Sequence, residues 1–153
     1  MKILAAFALV LMAGAGGVGA VEKRTSGDLK AVVASYLEIQ AQLADDKTDG
    51  IKGPAADIAA SAASMGEAGA AIATAAKAVQ DAADLKTARE AFGPLSDAVI
   101  AAANAGGWQG LGDVKLAYCP MVKRSWLQKE PTIRNPYYGS AMLTCGEFKS
   151  PKK

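Results

Sequence analysis

The chain has 153 residues, with Lys+Arg 17 against Asp+Glu 15, two cysteines, no histidine, and a 51% hydrophobic content of which little is aromatic. That is the size and charge of one small domain. Without an imidazole it cannot build a Ser-His-Asp or Cys-His nucleophile, a His-ligated zinc centre or a haem held by a proximal histidine, so a binding or structural protein is expected rather than an enzyme.

Residues 1–20 read as a signal peptide. Met1 and Lys2 give a positive start, Ile3 to Met12 is an unbroken apolar run, and Val18-Gly19-Ala20 supplies small residues for cleavage after Ala20. The mature chain, 21–153, is then expected to be periplasmic or secreted, a single helical domain with no membrane association after cleavage. With eight basic and twelve acidic residues in 21–105 and eight and three in 106–153, it carries −4 and +5, or +1 in all. Near-neutral charge and export together exclude a nucleic-acid partner. Export also permits its two cysteines to pair.

The body, 21–105, is helical by periodicity. Leu29, Val32, Val33, Tyr36, Leu37 and Leu43 share one face of a first helix, with Ser26 or Asp28 to cap it and Asp45 to Gly50 to end it. Ile51, Ala55, Ile58, Ala62 and Met65 form the stripe of a second, in which Pro54 is tolerable because the first turn has no internal partner for its missing N–H. Gly66 and Gly69 leave open whether Ile51 to Gln80 is one bent helix or two. After Asp84, Leu85, Ala88, Phe92, Leu95, Val99 and Ala102 step by three and four along a bundle seam. Alanine fills 22 of the 51 positions from Ala55 to Ala105. It favours helix and close helix approach but buries little area per residue. The fold class expected is all-α, a three- to four-helix up-down bundle closed by an irregular, turn-rich C-terminal lid formed by 106–153.

The chemistry lies in that lid. Cys119-Pro120-Met121 and Met142-Leu143-Thr144-Cys145 each put two sulfurs on a short turn, and Asn135-Pro136 and Gly139 turn the chain back from one pair toward the other. Two thiols and two thioethers are soft donors that select Cu(I) or a similar thiophilic ion over Mg²⁺, Ca²⁺ or Mn²⁺. Cys119, Met121, Met142 and Cys145 are therefore candidate metal ligands. The same cysteines fit equally a structural disulfide closing a loop of about 26 residues, worth about 3–4 kcal/mol in the chain-entropy model. Trp126 can lie over a bound cation or pack on the bundle. Asn135, Pro136, Tyr137 and Gly139 form a turn that can serve as a docking surface or clamp the tail to the helices.

Cys-Pro-Met, then Trp-Leu, then Ile-x-Asn-Pro-Tyr-Tyr-Gly, then Met-x-x-Cys-Gly, together with Ala91-Phe92 and Leu95-Ser96 upstream, is similar to an exported bacterial domain family of unknown function. Its members stand alone or are fused to periplasmic adaptor subunits of RND-type copper and silver efflux pumps. The resemblance implies soft-metal handling, with Cu(I) or Ag(I) as cargo and periplasmic subunits of a metal efflux system as partners. The protein would act there as carrier, buffer or sensor. The competing expectation is a structural or protein-interaction domain with a Cys119–Cys145 disulfide and no ion.

Overall fold

The computed structural model describes residues 18–151, with side chains from residue 28; the expected signal segment lies almost wholly outside the described residues. Four helices form the body: α1 (Val18–Ala44), α2 (Lys52–Ala62), α3 (Gly66–Gln80) and α4 (Leu85–Gly106). Each packs on the next, and α4 returns to α1. The stripes read from the sequence face inward, with Val32, Tyr36, Leu43, Ile58, Phe92, Leu95 and Val99 all fully buried. No helix among the described residues is long and apolar enough to cross a membrane.

Three local findings complete the reading of the body. α1 is already helical at Ser26 and Asp28, so neither caps it; the Asp28 carboxylate instead accepts a hydrogen bond from Ser64 at 2.6 Å. Ile51 to Gln80 holds two helices rather than one. Gly66 takes a left-handed φ of 66° at the break, and at Gly69 a β-carbon would fall well inside contact with the Ala62 carbonyl oxygen, so α3 folds back directly over the end of α2. α4 starts at a reciprocal cap in which Asp84 accepts from the Thr87 amide and Thr87 Oγ1 accepts from the Asp84 amide.

The tail is where the all-α expectation needs correction. It contains a three-stranded antiparallel sheet, order β2-β1-β3, from β1 (Lys115–Cys119), β2 (Arg124–Gln128) and β3 (Glu147–Lys149). β1 and β2 pair from Lys115↔Gln128 to Cys119↔Arg124. The connection between them, 120–123, closes with Lys123 at φ 54°. The chain is thus mainly helical, with a small sheet laid against the bundle. β2 packs on α1 and α4, burying Trp126, Leu127 and Gln128 in succession.

One residue of α1 ties the two parts together. The Tyr36 ring stacks on Phe92 with centroids 4.9 Å apart, and its hydroxyl lies 2.6 Å from Ser96 Oγ and accepts a hydrogen bond from the Leu127 amide of β2 at 3.2 Å. Burial holds this phenol well above its ordinary pKa, so it stays neutral. Tyr36→Phe keeps the ring and strands the Leu127 N–H in the core; the expected loss is about 1–3 kcal/mol in urea unfolding. A variant as stable as the parent would show that the hydroxyl does not join sheet to bundle.

Candidate functional site

The hairpin geometry decides where the first thiol goes. Cys119 ends β1 on the same face as Ala117 and, across the register, Trp126; all three are fully buried. The second thiol arrives from the other end of the tail. Asn135 begins a turn in which its carbonyl accepts from the Gly139 amide at 3.0 Å, and a single 3₁₀ turn at Gly139–Ala141 leads into Met142. The Met142 carbonyl accepts from the Cys145 amide at 3.0 Å, which delivers Cys145 back to the end of β1. The two sulfurs, Cys119 Sγ and Cys145 Sγ, stand 3.0 Å apart as free thiols. Cys119 is enclosed, whereas Cys145 is partly exposed.

Asn135 is the residue that fixes this meeting. Fully buried, its side-chain amide donates to the Cys145 carbonyl at 2.7 Å, its side-chain oxygen accepts from the Tyr137 amide at 2.8 Å, and its own amide donates to the Leu143 carbonyl at 2.8 Å. Around the sulfurs the electrostatics are uneven. Burial raises the Cys119 thiol, but hydrogen bonding with Cys145, the Val122 and Met121 amides and the Asn135 side chain together outweigh it, so Cys119 ionises below its ordinary pKa. Cys145 moves up, through its hydrogen bond to Cys119, then burial, then the charge on Cys119.

The other expected site residues divide. Met121 sits on the hairpin connection with 65% of its surface exposed, its backbone amide aimed at the thiols. Met142 is partly buried, and among the described residues no hydrogen bond links a methionine sulfur to either thiol. The two thiols are thus brought together. Among the described residues no three His, Cys, Asp or Glu side chains cluster. Trp126 packs in the core. Its ring meets Tyr137 edge-on at 6.0 Å and its N–H donates to Gln128 Oε1 at 2.9 Å.

Asn135, Pro136, Tyr137 and Gly139 are all buried, so the turn works as an internal clamp in place of an open docking face. The Tyr137 hydroxyl donates to the Ser125 carbonyl at 2.8 Å.

Several residues that hold the site carry no signal of their own in the sequence. Gln128, buried beside Trp126, accepts from the Trp126 ring N–H and the Arg134 amide and donates to the Glu130 and Thr132 carbonyls, so one side chain folds the loop after β2. Gln40 of α1 donates to the Arg134 carbonyl at 2.8 Å. At the end of α1, Asp46 at φ 59° binds Arg89 at 2.5 Å and the Ser140 amide at 3.1 Å, while Arg89 also donates to the Pro136 and Leu43 carbonyls. Arg134 pairs with Asp45 next door.

Hydrogen bonding from Ser140 and then Arg89 lowers the Asp46 carboxyl to a pKa of about 2. A depressed folded-state pKa contributes stability that is complete above the unfolded value, about pH 4, and is lost as pH falls toward 2. Acid titration of stability is therefore expected to steepen between those limits, and Asp46→Asn to flatten it; an unchanged acid limb in that variant would remove Asp46 from the account.

What the fold defines is a helical bundle bearing a small C-terminal sheet with a thiol pair at its end. The chain matches the family model described as "Protein of unknown function (DUF3347)" over residues 32–109, half its length, and it belongs to that family. The match runs from α1 to just past α4, so the thiol pair lies beyond it. No curated protein and no solved structure matches the chain.

Proposed function

We propose that this is an exported soft-metal-binding protein, not an enzyme, that takes Cu(I) or Ag(I) on Cys119 and Cys145 and serves a heavy-metal efflux system as carrier, buffer or sensor. The observation that carries the reading is the pair of free thiols 3.0 Å apart. Thiolate sulfur selects monovalent soft ions over the hard divalent ones. The donors fit as well. With metal–sulfur bonds of about 2.3 Å, two thiolates sharing one ion stand about 4 Å apart, so this pair must open by about 1 Å. Both cysteines sit at the ends of short turns, where such a movement strains no helix. Met121, exposed on the hairpin connection two residues after Cys119, is the first candidate thioether to complete the coordination, and Met142, three residues before Cys145, is the second. The signal-like residues 1–20 and the tail motif's similarity to domains fused to efflux adaptors support the periplasmic setting and the efflux partner.

The test is a Cu(I) titration of the reduced mature protein against a competing chelator. One ion per chain is expected. Since changes outside the ligand shell already weaken metal binding by 10–100-fold, Cys119→Ser or Cys145→Ser is expected to weaken it by on the order of a hundredfold or more. Met121→Leu and Met142→Leu are expected to act more weakly. No uptake, or uptake indifferent to both cysteines, refutes the proposal. It would leave the second reading, a structural domain whose thiols close to a disulfide, which the same short separation favours and which a count of no free thiols on freshly isolated protein would support.

A further inference from the structure

The two thiols differ in access far more than in distance. Cys119 lies on the buried face of β1 beside Ala117 and Trp126, with none of its surface exposed. Cys145 lies on the outer side of the contact and is partly exposed. A reagent from solvent therefore meets Cys145 first, and Cys119 is within 3.0 Å of it to respond. The Asn135 side chain, itself fully buried, donates to the Cys145 carbonyl at 2.7 Å and so holds the outer thiol against the inner one. Neither half of this arrangement is needed for a disulfide that forms once and stays closed.

We infer that Cys119 and Cys145 form a reversible thiol–disulfide exchange site for low-molecular-weight thiols and disulfides, in which every exchange passes through Cys145 while Cys119 acts only as the resolving and leaving sulfur. In the oxidising direction Cys145, giving up its proton to solvent as it reacts, attacks one sulfur of a small disulfide RSSR, forming Cys145–S–S–R and releasing RS⁻. Cys119 Sγ then attacks Cys145 Sγ, forming the internal disulfide and expelling the second RS⁻. The two protons of the original thiols end on the two RSH products, and two electrons pass from the protein to RSSR. In the reverse direction RS⁻ attacks Cys145 Sγ and expels Cys119, and a second RS⁻ attacks the R-bearing sulfur of the mixed disulfide, releasing RSSR and freeing Cys145. This exchange needs no metal, so it stands or fails separately from the proposed ion binding. Where both hold, closing the disulfide removes the two ligands from the cargo.

Oxidised glutathione is the probe. Lys123, Arg124, Lys129 and Arg134 lie between the cysteines, so tryptic peptides separate them. Reduced, metal-free wild-type protein is mixed with the probe, quenched in acid at successive times and mapped by mass. A transient glutathione adduct confined to the Cys145 peptide is expected, decaying into the internal disulfide. In Cys119→Ser the Cys145 adduct should persist; in folded Cys145→Ser the Cys119 adduct should form at least about tenfold more slowly, the two becoming equal in denaturant. An early adduct on the Cys119 peptide, equal rates in the two folded variants, or no reaction of the wild-type protein would each overturn the inference. Should a variant not fold, the wild-type mapping decides alone.

Discussion

Gly139→Ala is expected to lower stability by about 3 kcal/mol or more, among the large effects a single substitution produces. Two penalties coincide there. Gly139 has φ 55°, a left-handed conformation that costs a residue with a β-carbon about 1–3 kcal/mol when it is strained. The added carbon would also fall well inside contact with Asp46 Oδ1 and Arg89 Nη2. Neither neighbour can step aside freely, because Asp46 also holds the Ser140 amide and Arg89 holds the Pro136 and Leu43 carbonyls. The methyl group therefore separates the tail from the ends of α1 and α4 at the point where both are anchored. Since the same turn delivers Cys145 to Cys119, the variant is expected to show a faster-reacting Cys145 as well as a lower urea midpoint. Thr144→Ala, on the exposed part of the same segment, serves as the control. If Gly139→Ala came within about 1 kcal/mol of the parent, the clamp would not be what seats the tail.

The helices were legible because a bundle asks one question of its sequence, which face is apolar. Val32, Tyr36 and Leu43, or Phe92, Leu95 and Val99, answer it at steps of three and four. The break at Gly66–Gly69 was visible as an ambiguity only; a helix that bends and a helix that ends use the same glycines, and the contact with the Ala62 carbonyl that decides between them is tertiary. The sheet was hidden for a different reason. Strands of five, five and three residues offer too few alternations to establish a period of two, and β2 buries Trp126, Leu127 and Gln128 consecutively because it is pressed against two helices. The cysteines were legible as a pair from their turns. Where the methionines point was not legible, because sequence spacing fixes how far a side chain stands from its neighbour along the chain and not which side of a hairpin it leaves, and the Met121 side chain is largely exposed. Gln128 and Gln40 are polar residues inside the core, and what marks them is the set of backbone groups they satisfy, which no single sequence displays.

Trp126→Ala is expected to have the other large effect, about 3–5 kcal/mol for emptying a fully enclosed aromatic site, or a fall of about 10–20 °C in the thermal midpoint for a domain of this size. The ring fills the space between the sheet and Tyr137, and its N–H occupies Gln128 Oε1, so truncation opens a cavity and releases one of the four contacts that organise the loop after β2. It also walls in the residue after the second thiol, since a β-carbon on Gly146 would lie 2.8 Å from Trp126 Cη2. Removing that wall frees the residue next to Cys145. Two readouts then separate packing from the site itself. Trp126→Phe should recover most of the stability while leaving Gln128 Oε1 short of one donor, and Cys145 should react with a thiol reagent faster in the alanine variant than in the phenylalanine one. Equal reactivity in the two would mean that the thiol pair is held by Asn135 and its turn alone, with the tryptophan contributing only to the core.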